Sequence, residues 1–230
     1  MAKARILVGA ALVLVSVFTK GGDAADYSFR GVPVGMPLDE FRRLPHPDRT
    51  TDPTVSNSRV LCTGEADRPT NTLLDVYGAD AALHVKICGY FTVLKTGIGA
   101  PVYFQDSVTL GTLHGSPAFV FFPDSERGGA YRLMQIVMGG PSNQFDAMVH
   151  AYTERFGRPA SLAEVPAVES WSGRKYPNME AVWLGGETEI RVVKRSRGID
   201  HMEIKYFELR LFARYAGAKE KLDGKPGDKL

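Results

Sequence analysis

Few residues in this chain are equipped for chemistry, and they are widely spaced. There are five histidines: His46, His84, His114, His150 and His201. A catalytic imidazole needs an acid or a hydroxyl held beside it. His46 has Asp48 two residues on, and His114 has Ser116, but catalytic partners are normally assembled by the fold rather than by adjacency in sequence. Asp146, His150 and Glu154 recur every fourth residue. On a helix they line one face, an imidazole between two carboxylates, and form a weak set of metal-ligand candidates. That face is rotated away from the apolar stripe of the same segment, where solvated side chains are expected.

Signatures of established chemistries are missing. The chain has no G-x-S-x-G elbow, H-E-x-x-H pair, P-loop or dinucleotide fingerprint. The Gly pairs at 128–129, 139–140 and 185–186 sit where turns are needed, so no cofactor is expected. Two binding features remain. Arg191, Lys194, Arg195 and Arg197 cluster before His201, and residues 190–215 hold seven basic side chains against Asp200, Glu203 and Glu208. Such a patch would suit an envelope protein or an anionic envelope component. Trp171, Tyr176 and Trp183 could line a stacking groove for a carbohydrate, although aromatics more often cap a core.

The 28 basic and 26 acidic residues give a formal charge of +2. That excess belongs to the N-terminus: residues 1–24 carry Lys3, Arg5 and Lys20 but only Asp23, and without them the two signs are equal in number. A balanced chain lacks the basic excess of a nucleic-acid binder, and a 44% apolar fraction lacks the composition of a disordered one. Residues 1–5 are basic, and residues 6–18 are an apolar run too short for the roughly 20 residues that span a bilayer. Gly22 and Ala24 supply small residues at −3 and −1 of a cut after Ala24. The reading is a cleavable Sec-type signal with a periplasmic or secreted destination, and no transmembrane anchor after cleavage. Export favours pairing Cys62 with Cys88, each within a strand-like run, residues 59–64 and 83–93.

The elements that must position these residues follow from periodicity. Residues 27–32 suggest a short strand. Gly35-Met36-Pro37 opens a helix through Leu38, Phe41 and Leu44 that Pro45 stops. A short helix is expected within residues 67–77, and broken strands within 97–115. Residues 118–122 and 131–138 read as a hairpin. The best helix starts at Ser142 as N-cap, carries Phe145, Met148, Val149, Tyr152 and Phe156 on one stripe, and ends at Gly157. After a loop, residues 179–184, 189–193 and 201–207 predict three strands, followed by a helical period over 208–222.

The expected fold is α+β: antiparallel sheet on one or two helices, with a C-terminal half ordered β-β-α-β-β-β and a short C-terminal helix. The expected division is a signal (1–24), a disulfide-tied N-terminal α+β lobe (25–115), a C-terminal α+β lobe (116–222) and a charged tail (223–230). The two Gly-to-helix entries at 35–41 and 140–145 hint at a degenerate duplication. Missing catalytic spacing favours a non-catalytic binding or envelope-interaction module. The competing reading is a small periplasmic hydrolase or ligand-binding enzyme using a His–carboxylate site.

Overall fold

The computed structural model describes residues 27–48, 57–65, 74–94, 101–169 and 173–223. The expected export signal, Trp171, residues 224–230 and most of the helix expected over 67–77 lie outside the described residues.

The chain is α+β, as its patterning predicts. The strands are β1 (Ser28–Phe29), β2 (Val32–Pro33), β3 (Ser58–Cys62), β4 (Lys86–Leu94), β5 (Val102–Gln105), β6 (Val108–Leu110), β7 (Leu113–Gly115), β8 (Ala118–Asp124), β9 (Ala130–Pro141), β10 (Ser161–Glu169), β11 (Lys175–Gly185), β12 (Thr188–Val193) and β13 (His201–Glu208). Nine of them form one antiparallel sheet ordered β10-β11-β12-β13-β9-β8-β4-β3, with β5 also paired to β4. The sheet runs across residue 115, because β4 pairs with β8 through Cys88 and Phe119. The core likewise draws on both sides of that position.

The helices are α1 (Leu38–Phe41), α2 (Gly78–Ala82), α3 (Phe145–Phe156) and α4 (Leu209–Asp223). One face of the sheet carries the main core. Phe119, Phe121, Leu133, Ile136, Trp183, Ile190, Ile204 and Tyr206 pack there against Leu38 and Phe41 of α1 and Phe145, Met148 and Tyr152 of α3. The opposite face is covered at one end by α4, whose Leu211, Phe212 and Tyr215 meet Val85, Phe122 and Met134. Strand β12, predicted over 189–193, alternates buried Thr188, Ile190 and Val192 with half-buried Glu189, Arg191 and Val193, the pattern of an antiparallel strand with one wetter face.

Four local expectations change. Helix α1 is a single α-turn. Beyond it, Arg43 and Leu44 donate to the carbonyls of Glu40 and Phe41, tightening the chain into three-residue turns before Pro45. Ser142 does not cap α3. It opens a short 3-10 turn, Ser142–Gln144, and its own N–H donates to the Asp200 carbonyl at 2.9 Å, so a tertiary partner does the work of a cap. Of the 67–77 segment expected to hold a short helix, the described residues 74–77 are not α-helical, and a short helix, Gly78–Ala82, follows them. Finally, β10 occupies what reads as a loop. Its Pro166 falls in a register irregularity between Val165 and Val168, on the outermost strand, where a missing backbone donor breaks no ladder.

Cys62 and Cys88 form the expected disulfide. They face each other directly in the β3–β4 register and are fully buried.

Candidate functional site

The basic cluster is set by the β12–β13 connection. Asn178 clamps that connection: its side-chain amide donates to the Arg195 carbonyl and accepts the Arg195 N–H, both at 2.8 Å. The basic excess counted along residues 190–215 is then largely cancelled in space. Arg191 pairs with Glu189 at 2.7 Å and Glu180 at 3.6 Å, Lys194 with Asp146 at 3.6 Å, and Arg197 with Glu203 at 3.2 Å. On α4, Arg210 pairs with Glu187, and Arg214 lies 2.9 Å from both Asp124 and Glu126. Most of these acids lie outside the counted segment, so a linear charge tally misses them. Arg195 instead donates to the Pro177 carbonyl and lies over the Tyr176 ring at 5.8 Å.

Glu203 is the hub of the group. It is 3% exposed, and its carboxylate accepts from Ser196 Oγ and Lys205 Nζ, each at 2.6 Å. Burial pushes its pKa up, but the hydrogen bonds from Lys205 and Ser196 and the charges of Lys205 and Arg197 outweigh it, so the pKa falls below the usual value. His201 lies two residues along the same face. Its Nε2 is 2.4 Å from where a Cβ on Gly139 would stand, so only glycine admits the ring there. Glu203, His201, Arg197, Ser116 and Gln105 share the lining of a cleft of about 130 Å³.

The registers align these side chains in rows across five strands. Ser161, Val182, Arg191, Lys205 and Val137 face one another in succession, as do Ala163, Glu180, Val193, Glu203 and Gly139. Val137, Val182 and Val193 are half-buried by their neighbours and belong to none of the buried clusters. Among the described residues, no helix covers this part of the sheet.

The other sequence candidates separate. Trp183 is 1% exposed, packs beside Tyr152 at 5.5 Å and donates to the Gly157 carbonyl at 2.9 Å. It faces α3 in the core and cannot stack a sugar, which corrects the groove reading. Tyr176 is flanked by Arg174 and Arg195. Asp146 turns to Lys194, while His150 and Glu154 lie 3.4 Å apart, 75% and 70% exposed. No three His, Cys, Asp or Glu side chains converge on a metal position among the described residues. His114 is exposed, its Nδ1 3.1 Å from Thr109 Oγ1.

His46 is different: it is 4% exposed and stands edge-on to the Tyr90 ring at 4.9 Å. Its Nδ1 accepts the Asp48 N–H at 3.1 Å, so the neutral ring carries its proton on Nε2, which makes no hydrogen bond of ordinary geometry. Burial lowers its pKa, opposed by the nearby Asp106 and Asp48 carboxylates and the Ser107 backbone. The Tyr90 hydroxyl is likewise buried and unpartnered, and burial pushes it up to about 12. A cavity of about 400 Å³ lies beside this pair, between Arg30, Val32 and Pro47, and a larger one of about 620 Å³ toward β3. Sequence drew attention to His46 through Asp48. It gave no sign of Tyr90, which reads as an ordinary strand aromatic.

Comparison of the chain with protein-family models, with curated proteins and with solved structures returns no match.

Proposed function

We propose that this protein is an exported, non-catalytic binding module that holds a protein partner against the uncovered face of β9 to β13. The observation carrying the reading is the pair of cross-strand rows there, in which Val137, Val182 and Val193 sit among mutually paired charges on β9, β11, β12 and β13. A surface that is partly apolar and locally neutral suits a protein surface of similar character better than a polyanion. Export is supported by the apolar run at residues 6–18 and by the disulfide, a bond that persists in oxidising compartments.

Two measurements test this. In fractionated cells the chain is expected outside the cytoplasm with its N-terminus at Ala25; an intact residue 1–24 segment on a cytoplasmic chain would refute export. For binding, a partner is identified by cross-linking in envelope extract and its affinity measured with purified wild type and with a Val182→Glu/Val193→Lys variant, in which each new charge faces opposite ones across the strands. Both positions are half-buried, so the variant should keep the wild-type melting temperature yet bind at least tenfold more weakly. Equal affinity would place binding elsewhere. The hydrolase reading asks for an imidazole in a cleft within reach of an acid. Among the described residues the imidazole in an ion pair with a carboxylate is His150, on an exposed helix face. His46 lies in a cleft near the Asp48 and Asp106 carboxylates but hydrogen-bonds the Asp48 N–H rather than an acid, which lends that reading less support.

A further inference from the structure

His46 stands where several separate pieces of chain meet. Its ring is 4% exposed and packs edge-on against Tyr90 of β4. Its Nδ1 accepts the Asp48 N–H at 3.1 Å, which closes a turn over Pro47. The turn aims the Asp48 carboxylate at two other elements. Oδ2 accepts the Thr109 N–H of β6 at 2.7 Å, and Oδ1 accepts from Arg30 in the β1–β2 turn. Arg30 also donates to the Pro47 carbonyl at 3.1 Å. Residues 45–48 are thereby strapped across β4, β6 and the β1–β2 turn, and Pro45, His46 and Pro47 close one side of the cavity of about 400 Å³.

The hydrogen bond at Nδ1 exists only for a neutral ring. A neutral imidazole has one donor and one acceptor nitrogen, whereas a protonated one has two donors. Protonation sets an N–H on Nδ1 against the Asp48 N–H and places a charge where water is excluded. Burial disfavours the charged ring most strongly. Asp106 on the β5–β6 connection, Asp48 on the ring's own segment and the Ser107 backbone favour it, and Arg30 opposes it. Burial wins, so the ring is less basic in its seat than free in water. Tyr90, the ionisable group facing it from β4, is uncharged at neutral and acid pH. Arg42, Arg43, Arg59 and Glu65 line the second cavity that His46 borders.

We infer that residues 45–48 form an acid-released strap: protonation of His46 turns the Nδ1 acceptor into a donor, drives the ring from beside Tyr90 and frees Asp48 from Thr109 and Arg30. Above the ordinary histidine value of 6.5 the strap is closed and holds its full stability. As pH falls below that value, a released ring takes up a proton that the seated ring resists, and the equilibrium moves toward release. Release removes the wall that Pro45, His46 and Pro47 give the 400 Å³ cavity and uncovers Tyr90. The strap lies away from the β9–β13 face and does not depend on the partner-binding reading.

The test is amide hydrogen exchange of the purified full chain, followed by NMR in steps from about pH 7.5 to about pH 5, a window above the ordinary range of carboxylates. Protection factors correct each rate for the intrinsic effect of pH. Those of the Asp48 and Thr109 amides should fall at least about fivefold across the window, in step with protonation of the His46 ring, while those of β9 and β13 stay constant. His46→Asn is the control. An asparagine oxygen can accept the N–H two residues on and does not titrate, so protection at Asp48 and Thr109 should no longer depend on pH. Constant protection in the wild type, a fall that persists in His46→Asn, or protonation of the wild-type His46 ring that leaves both amides protected would overturn the proposal. The first and last of these are read on the wild type, so the inference can fail even where the variant does not fold.

Discussion

Tyr206 and Tyr152 share a buried hydroxyl–hydroxyl hydrogen bond of 2.8 Å beneath α3. Burial pushes Tyr206 up to about 12, against smaller opposing effects from the Tyr152 hydrogen bond and Arg155, and pushes Tyr152 well above its ordinary value. Tyr90, alone in its cavity wall, is also raised to about 12 by burial. An unfolded tyrosine ionises near 10, so above that pH the folded chain holds more protons than the unfolded one, and stability must fall as pH rises. The loss is expected between pH 10 and 12, at up to about 1.4 kcal/mol per pH unit for each raised tyrosine. Denaturant unfolding at stepped pH measures it. Tyr206→Phe should cost about 1 kcal/mol at neutral pH through the stranded Tyr152 hydroxyl and flatten the alkaline slope; an unchanged slope would mean that Tyr206 contributes nothing to it. None of this coupling is visible in sequence, where the two tyrosines stand 54 residues apart as unremarkable members of a helix and a strand.

Among the elements, α4 shows how far pattern reading reaches. Its helical period is plain in residues 208–222, but its docking site is not, because the strands it covers come from three separate stretches of chain. Leu211 is 2% exposed against Met134, Phe122 and Val85, and Arg214 pairs with the buried Asp124 of β8. Leu211→Ala should lower the unfolding free energy by about 2–4 kcal/mol, read from the denaturant midpoint at unchanged slope. An effect below about 1 kcal/mol would mean that α4 is held by its ion pairs instead. Strand β10 shows the opposite limit. Its Pro166 reads as a breaker, yet an outer strand with an irregular register tolerates it. The α3 stripe was legible because five apolar residues repeat at helical spacing. Its cap was not, because the Ser142 donor is satisfied by Asp200, far along the chain.

For the whole molecule, the sheet is the organising object and the disulfide its principal covalent constraint. Cys62 and Cys88 lie 26 residues apart in sequence. Closing that loop reduces the entropy of the unfolded chain by an amount worth about 3–4 kcal/mol. A Cys62→Ser/Cys88→Ser double variant should lose about that much stability in chemical denaturation, and reduction of the unfolded wild type should reproduce the loss. A loss near zero would show that the unfolded chain is already compact across this loop, so that the cross-link removes little of its entropy.

Residue types and spacing alone determined the α+β class, the pairing of the two cysteines, the alternation of β12 and the α3 stripe. Each depends on periods of two or 3.6 residues, or on a count of two thiols, and such local regularities are written directly in the chain. The tertiary structure decided what the side chains do. It cancelled a basic segment against acids from distant strands, turned Trp183 into core, and buried the Tyr90 hydroxyl without a partner beside His46. Charge balance, burial and hydrogen-bond satisfaction depend on which distant residues become neighbours, and that follows from the strand order β10-β11-β12-β13-β9-β8-β4-β3, not from any single stretch of sequence.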